Sequence, residues 1–258
     1  KVDGSGRTVA IILAAAMAAG LLLRLRHVDE PPIGYHSMKE VHYLSVTKGY
    51  LEHGDLARKR VLYSGMSEGP GYIEGLPQVQ FLPFIYYPLW KMFGTSLWLS
   101  RVVVILFSLG SALMLYPVAR RLTGRREVPL IAAAVMTVLP VSVFFGRNIQ
   151  PDFVALFFGL LSIWLFLRWV DDTSPRYLVL SALSAAVTIA VKGTFIVMFA
   201  PLVVVYPWGE LKERRIRRRV ARQMAFLLPG VVLVLAWVLF TKTLQTGEGG
   251  FFPLERLF

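Results

Sequence analysis

Long apolar runs joined by short charged loops constrain this chain more than any other feature. A membrane-spanning helix needs about 20 predominantly apolar residues. Seven runs approach that length, at residues 8–25, 97–119, 128–145, 153–170, 177–191, 194–208 and 224–241. The fifth and sixth are short and separated only by Lys192 and Gly193, which predicts either a tight hairpin or one broken helix. Pro140, Pro201 and Pro229 fall inside runs; neighbouring helices tolerate such kinks in a bilayer. Charged residues make up 17% of the 258, against about 25% in soluble domains, and the deficit lies in these runs. The expected fold class is an all-α integral membrane protein of about seven transmembrane helices, with residues 1–258 as a single module.

The formal charge of +12 invites a nucleic-acid reading, but its placement argues against one. Lys212, Arg214, Arg215, Arg217, Arg218, Arg219 and Arg222 cluster between two runs, as do Arg120, Arg121, Arg125 and Arg126. Short basic loops of this kind mark the cytoplasmic side. They place the N-terminus inside and residues 26–96, 146–152 and 192–193 outside. Arg24 and Arg26 then sit at the outer end of the first run, against the rule. With no cysteines, disulfides and thiolate chemistry are excluded. Four histidines make a His-rich metal cage a poor expectation.

The outer segment 26–96 is too long for a plain connector. A helix is expected from about residue 36 to 53, with His36, Lys39, Glu40, Tyr43, Thr47 and Tyr50 on one face. A Gly-rich piece follows at 64–75. Residues 79–93 carry Tyr86, Tyr87, Trp90 and Phe93 and suit a helix at the headgroup level.

Ionisable groups gather at the outer ends. The first outer segment supplies Asp29, Glu30, His36, Lys39, Glu40 and Glu74; the second loop Arg147, Gln150 and Asp152; the third Lys192. Carboxylates can take a proton from an attacking hydroxyl, and cationic side chains can stabilise a departing phosphate. The pattern suits a lipid-linked phosphate donor, with its tail in the bilayer and its phosphate at Lys192, Arg147 or Lys39. Glu40, Asp152 and Glu74 are then the candidate catalytic acids, and His36, Gln150, Asp29 and Glu30 candidate substrate contacts. Plainer readings stand beside these. Asp152 after Pro151 suits a helix start, Lys192 suits a snorkelling lysine, and Glu40 suits a solvated helix face.

Four stretches carry a family resemblance. They are Tyr35-His36-Ser37-Met38-Lys39-Glu40 running to Glu52-His53-Gly54-Asp55; Glu74-Gly75-Leu76-Pro77 with the later Phe93-Gly94 and Leu97-Trp98-Leu99-Ser100-Arg101; Phe144-Phe145-Gly146-Arg147-Asn148-Ile149-Gln150-Pro151-Asp152; and Val191-Lys192-Gly193. In order and spacing they resemble the GT-C superfamily of membrane glycosyltransferases, in particular the dolichyl-phosphate-mannose protein mannosyltransferase-like branch and its aminoarabinose-transferase relatives. The resemblance implies the GT-C module of seven spans with interfacial helices in the first outer loop. It also implies an inverting transferase that moves a mannose-like sugar from a polyprenyl- or dolichyl-phosphate carrier to a hydroxyl of a protein, lipid or glycan at the outer face. That face is extracytoplasmic, at the plasma membrane in a prokaryote. It implies no required cofactor, while the acids permit a divalent cation. Lys39 departs from the pattern, standing where the branch has the Asp of an Asp-Glu pair. Relatives commonly continue beyond this module, so a further C-terminal region is an expectation. The rivals are a lipid-linked sugar flippase, disfavoured by the lack of ionisable groups at mid-membrane, and a non-catalytic scaffold subunit.

Overall fold

The computed structural model describes residues 4–33, 37–54, 56, 60–63, 71–74, 80–125, 127–172 and 174–205. In chain order, α1 (Gly4–Leu25) leads to α2 (Ser37–His53), then to a hairpin of β1 (Arg60–Tyr63) and β2 (Gly71–Glu74), and to α3 (Phe81–Phe93). The bundle continues with α4 (Leu97–Thr123), α5 (Glu127–Val138), α6 (Pro140–Phe145), α7 (Asp152–Asp172) and α8 (Pro175–Val191). A 3₁₀ segment, Gly193–Phe199, and α9 (Ala200–Val205) follow.

The architecture is a helical membrane bundle. Three described helices are long and apolar enough to cross a bilayer: Gly6–Leu25 within α1, α4 and α7. They match the first, second and fourth expected runs. The third run is broken at Leu139 into α5 and α6, because Pro140 lacks the N–H to continue the helix and instead occupies the first turn of the next one. The fifth run is the 17-residue α8. The seventh run, the Arg-rich cluster before it and His36 lie outside the described residues.

The fifth and sixth runs form a hairpin. Met198 returns to the space over Gly159, and Leu202 packs with Phe166, Trp169 and Leu178. The chain therefore reverses at Lys192-Gly193 and descends along α7 and α8. Those two helices are stitched by reciprocal hydrogen bonds. Ser162 Oγ donates to the Ser181 carbonyl and Ser181 Oγ to the Ser162 carbonyl, both at 2.8 Å. Small hydroxylated residues allow such close approach between membrane helices.

The described part of residues 26–96 packs over one end of the bundle. Ser96 caps α4, its side chain accepting from Leu99 N at 3.2 Å, and Gly94 turns the chain from α3 with φ 81. The expected aromatic helix is thus separate from the second span. Leu82 and Tyr86 of α3 join Val104, Ile149, Val154 and Val191 in one apolar cluster. The antiparallel strands pair Arg60 with Glu74 and Tyr63 with Gly71, and β1 lies against α2. This hairpin is an addition to the all-α expectation; four-residue strands are too short to show a two-residue period.

Arg24, which stands against the basic-loop rule in the sequence, has a structural partner set. It is a fully buried bundle component, not a misplaced loop charge. Its Nε donates to Ser108 Oγ at 3.0 Å. Nη1 donates to the carbonyls of Gly20 at 3.0 Å and Thr137 at 2.7 Å, and Nη2 to Ser142 Oγ at 3.1 Å. The Thr137 carbonyl lacks a helical partner because α5 stops there. Gly146 leaves the necessary room: a Cβ there would lie 2.3 Å from Ser108 Oγ and 2.7 Å from Arg24 Nε. Arg24→Met leaves several buried acceptors without donors, and each orphan costs about 1–3 kcal/mol. Both Arg24→Met and Gly146→Ala are expected to lower the thermal midpoint in detergent by several degrees or to prevent folding; wild-type midpoints would refute this role.

Candidate active site

The antiparallel pair α7 and α8 brings the start of one helix beside the end of the other. Asp152 opens α7 after Pro151. Lys192 follows α8 in extended conformation, φ −154 and ψ 98. Lys192 Nζ lies 2.6 Å from Asp152 Oδ1, and the two side chains are 30% and 29% exposed. Helix start and snorkelling lysine are therefore two halves of one ion pair that solvent still reaches. Asp152 Oδ2 is buried and has no hydrogen-bond partner among the described residues. Lys192 also stands 5.7 Å from the Phe195 ring centroid.

Other polar atoms are orphaned around the same core. Tyr86 is fully buried, and among the described residues its hydroxyl is unpartnered, as is Nε2 of Gln150, which is 2% exposed. Tyr43 from α2 packs on the cluster that contains Tyr86 and Ile149. Burial, and next the Asp152 charge, push its phenol up to about 12; burial chiefly, with Glu40 and Tyr43 adding, holds Tyr86 well above the usual range. Both phenols are therefore neutral hydrogen-bonding groups at physiological pH. Unpartnered buried polar atoms are costly, and a bound polar ligand would relieve that cost.

Glu40 has a different place from the one expected. Its carboxylate and Arg101 form a buried pair, with side chains 5% and 7% exposed. Arg101 Nη2 donates to Oε2 at 3.2 Å and Nε to Oε1 at 3.4 Å, while Ile149 N donates to Oε1 at 2.8 Å. Arg101 Nη1 also donates to the carbonyls of Val28 at 2.9 Å and Glu30 at 2.7 Å. Both carboxylate oxygens are engaged and Glu40 is buried, so the expectation of a solvated face is corrected. The contacts of Glu40 tie α2 to α4 and to the 146–152 loop.

The remaining sequence candidates divide. Gln150 is buried two residues from Asp152. Arg147 is half-buried and donates to the Arg26 carbonyl at 2.9 Å. Asp29 and Lys39 are exposed. Glu30 is exposed and pairs with His27. Glu74 lies in β2, with its side chain outside the described residues. A hard divalent cation takes six or more oxygen ligands. Asp152 is the one described acid beside Lys192, and the ammonium already occupies one of its oxygens, so these side chains do not fit a cation there. Sequence reasoning quoted Arg101 without giving it a role and placed Tyr86 at the headgroups. An arginine near the start of an apolar span needs a counter-ion, and that signal was available.

A family model described as dolichyl-phosphate-mannose-protein mannosyltransferase matches residues 81–240. The fold is similar to that of the crystal structure of ArnT from Cupriavidus metallidurans in the apo state, with a TM-score of 0.60 and 16% sequence identity. The match covers 92% of this chain and 42% of that one, so this chain spans less than half the length of that relative. No curated protein matches the sequence.

Two measurements test this geometry. Glu40→Gln leaves Arg101 buried without a counter-charge, which should cost about 3–5 kcal/mol; an unchanged thermal midpoint would remove the clamp. Tyrosine ordinarily ionises near 10. In the folded state Tyr43 holds a proton that the unfolded chain releases, so its contribution to stability is full below about pH 10 and is lost as pH rises toward 12. Phenolate absorbance should show late-titrating tyrosines, of which Tyr43→Phe removes one and leaves Tyr86; a loss of amplitude near pH 10 instead would contradict the placement.

Proposed function

The chain belongs to the dolichyl-phosphate-mannose-protein mannosyltransferase family, within the GT-C superfamily, and from that premise we propose that it is a membrane glycosyltransferase. It takes a sugar, mannose-like, from a polyprenyl- or dolichyl-phosphate donor and passes it to an acceptor hydroxyl on a protein, lipid or glycan at the extracytoplasmic face. The observation that carries this reading is the solvent-accessible Lys192–Asp152 pair beside the buried Tyr86 and Gln150 groups, unpartnered among the described residues.

The pair supports a simple sequence of events. The donor phosphate competes for the Lys192 ammonium and frees Asp152 Oδ1. Asp152 then accepts the proton of the acceptor hydroxyl. The acceptor oxygen bonds to the anomeric carbon from the face opposite the phosphate. The carbon–oxygen bond to phosphate breaks with inversion, and Lys192 stabilises the departing polyprenyl phosphate. In this reading Tyr43 and Gln150 orient the donor.

A non-catalytic scaffold remains the second reading on two observations: Glu40 is consumed by Arg101, and Lys39 stands exposed in the acidic pair's place. Purified protein with a panel of radiolabelled polyprenyl-phosphate sugars separates the two. Transfer should fall about 100-fold or more in Asp152→Asn and Lys192→Ala, with folding intact. Absence of donor binding in the wild type, for every sugar tested, would favour the scaffold.

A further inference from the structure

A second polar cavity lies between the turn after α1 and the 146–152 loop. Its volume is about 100 Å³, and His27, Glu30, Ser37, Arg147 and Asn148 line it, with the Glu40–Arg101 pair at its wall. Neither Asp152 nor Lys192 lines it. A water needs about 10–15 Å³ by this kind of measure, so a small multi-atom polar group fits.

The cavity's charges and donors are unequally used. Glu40 is matched by Arg101, and Glu30 faces His27. Arg147 is a lining cation that meets no carboxylate among the described residues. Its one hydrogen bond is from Nη1 to the Arg26 carbonyl, which leaves the Nε and Nη2 donors open. Asn148 is 7% exposed, yet its side-chain amide makes no hydrogen bond among the described residues. Its backbone carbonyl, by contrast, accepts from Gln150 N at 2.7 Å. The amide lines open space beside the Arg147 guanidinium fork, whose Nε and Nη2 make no hydrogen bond among the described residues. His27 holds the turn in the left-handed region, φ 61, a conformation that histidine adopts more readily than most residues.

We propose that this cavity is an oxyanion-binding site, distinct from the Lys192–Asp152 pair, in which Arg147 and Asn148 hold a phosphoryl or carboxylate group. Arginine offers paired donors that match such an anion, and the Asn148 amide supplies another. The inference rests on these donors and does not depend on the transfer reaction. The anion arrives either free in solution or on a lipid headgroup.

The test is thermal unfolding of the purified full chain in detergent at constant ionic strength, titrated with inorganic phosphate or with phosphatidate in mixed micelles. A ligand of the native state raises the midpoint with concentration. Wild type should respond to at least one of the two. Response at lower concentration to phosphatidate identifies a headgroup, and to phosphate a soluble anion. Asn148→Ala removes no intramolecular hydrogen bond of the described structure, so it should fold; it should need about tenfold more ligand. Arg147→Gln should abolish the response, and Lys192→Gln should retain it. Absence of any response in wild type overturns the site, as does an unchanged response in Asn148→Ala. Loss in Lys192→Gln alone reassigns the anion to the other site.

Discussion

The buried pair of Arg101 and Glu40 governs the end of the bundle that carries Asp152 and Lys192. A guanidinium near the start of a membrane helix cannot be left bare. Arg101 gathers the carbonyls of Val28 and Glu30 and the carboxylate of Glu40, and Glu40 receives Ile149 N. The exit of α1, the start of α2 and the loop before α7 are therefore held at one point. That loop ends at Asp152, so the carboxylate's position relative to Tyr43 follows from a charge pair that takes no part in the proposed chemistry.

Arg24 solves a related problem without a carboxylate. Pro140 interrupts a helix inside the bundle and strands carbonyls at the end of α5. A helix C-terminus carries partial negative charge, and Arg24 reaches it from α1. The guanidinium fork serves carbonyls and hydroxyls on several sides at once, which a lysine's compact ammonium would not do in one geometry. The two arginines thus brace the same end of the bundle, one through backbone dipoles and the other through a formal charge.

The apolar runs made the helical membrane fold legible, because run length alone separates a span from a core helix. The break at Pro140 and the reversal at Lys192-Gly193 were marked by their residues, although the latter was left between two geometries that only packing of Met198 and Leu202 could separate. The short hairpin was not legible. In the site, Asp152 and Lys192 were named, but their pairing depends on the antiparallel contact of α7 with α8, which no local pattern encodes. The pairing of Glu40 is not legible in the sequence because helical periodicity reports which residues share a face, not what that face meets. Its partner lies 61 residues away. Arg24 was judged by a rule about loops, and burial made it an exception.

Exposure separates the two carboxylate pairs into different kinds of device. Breaking a buried pair strands a charge where water cannot reach it, so Glu40–Arg101 resists exchange and suits a brace. A pair about 30% exposed on each side is screened and contributes little to stability. An incoming phosphate that takes Lys192 from Asp152 therefore sacrifices little, and the freed carboxylate keeps access to water or to a hydroxyl. In the proposed reaction the same interaction is useful because it is weak. The fold supplies rigidity one turn away, through a pair that is strong because removing either member is so costly.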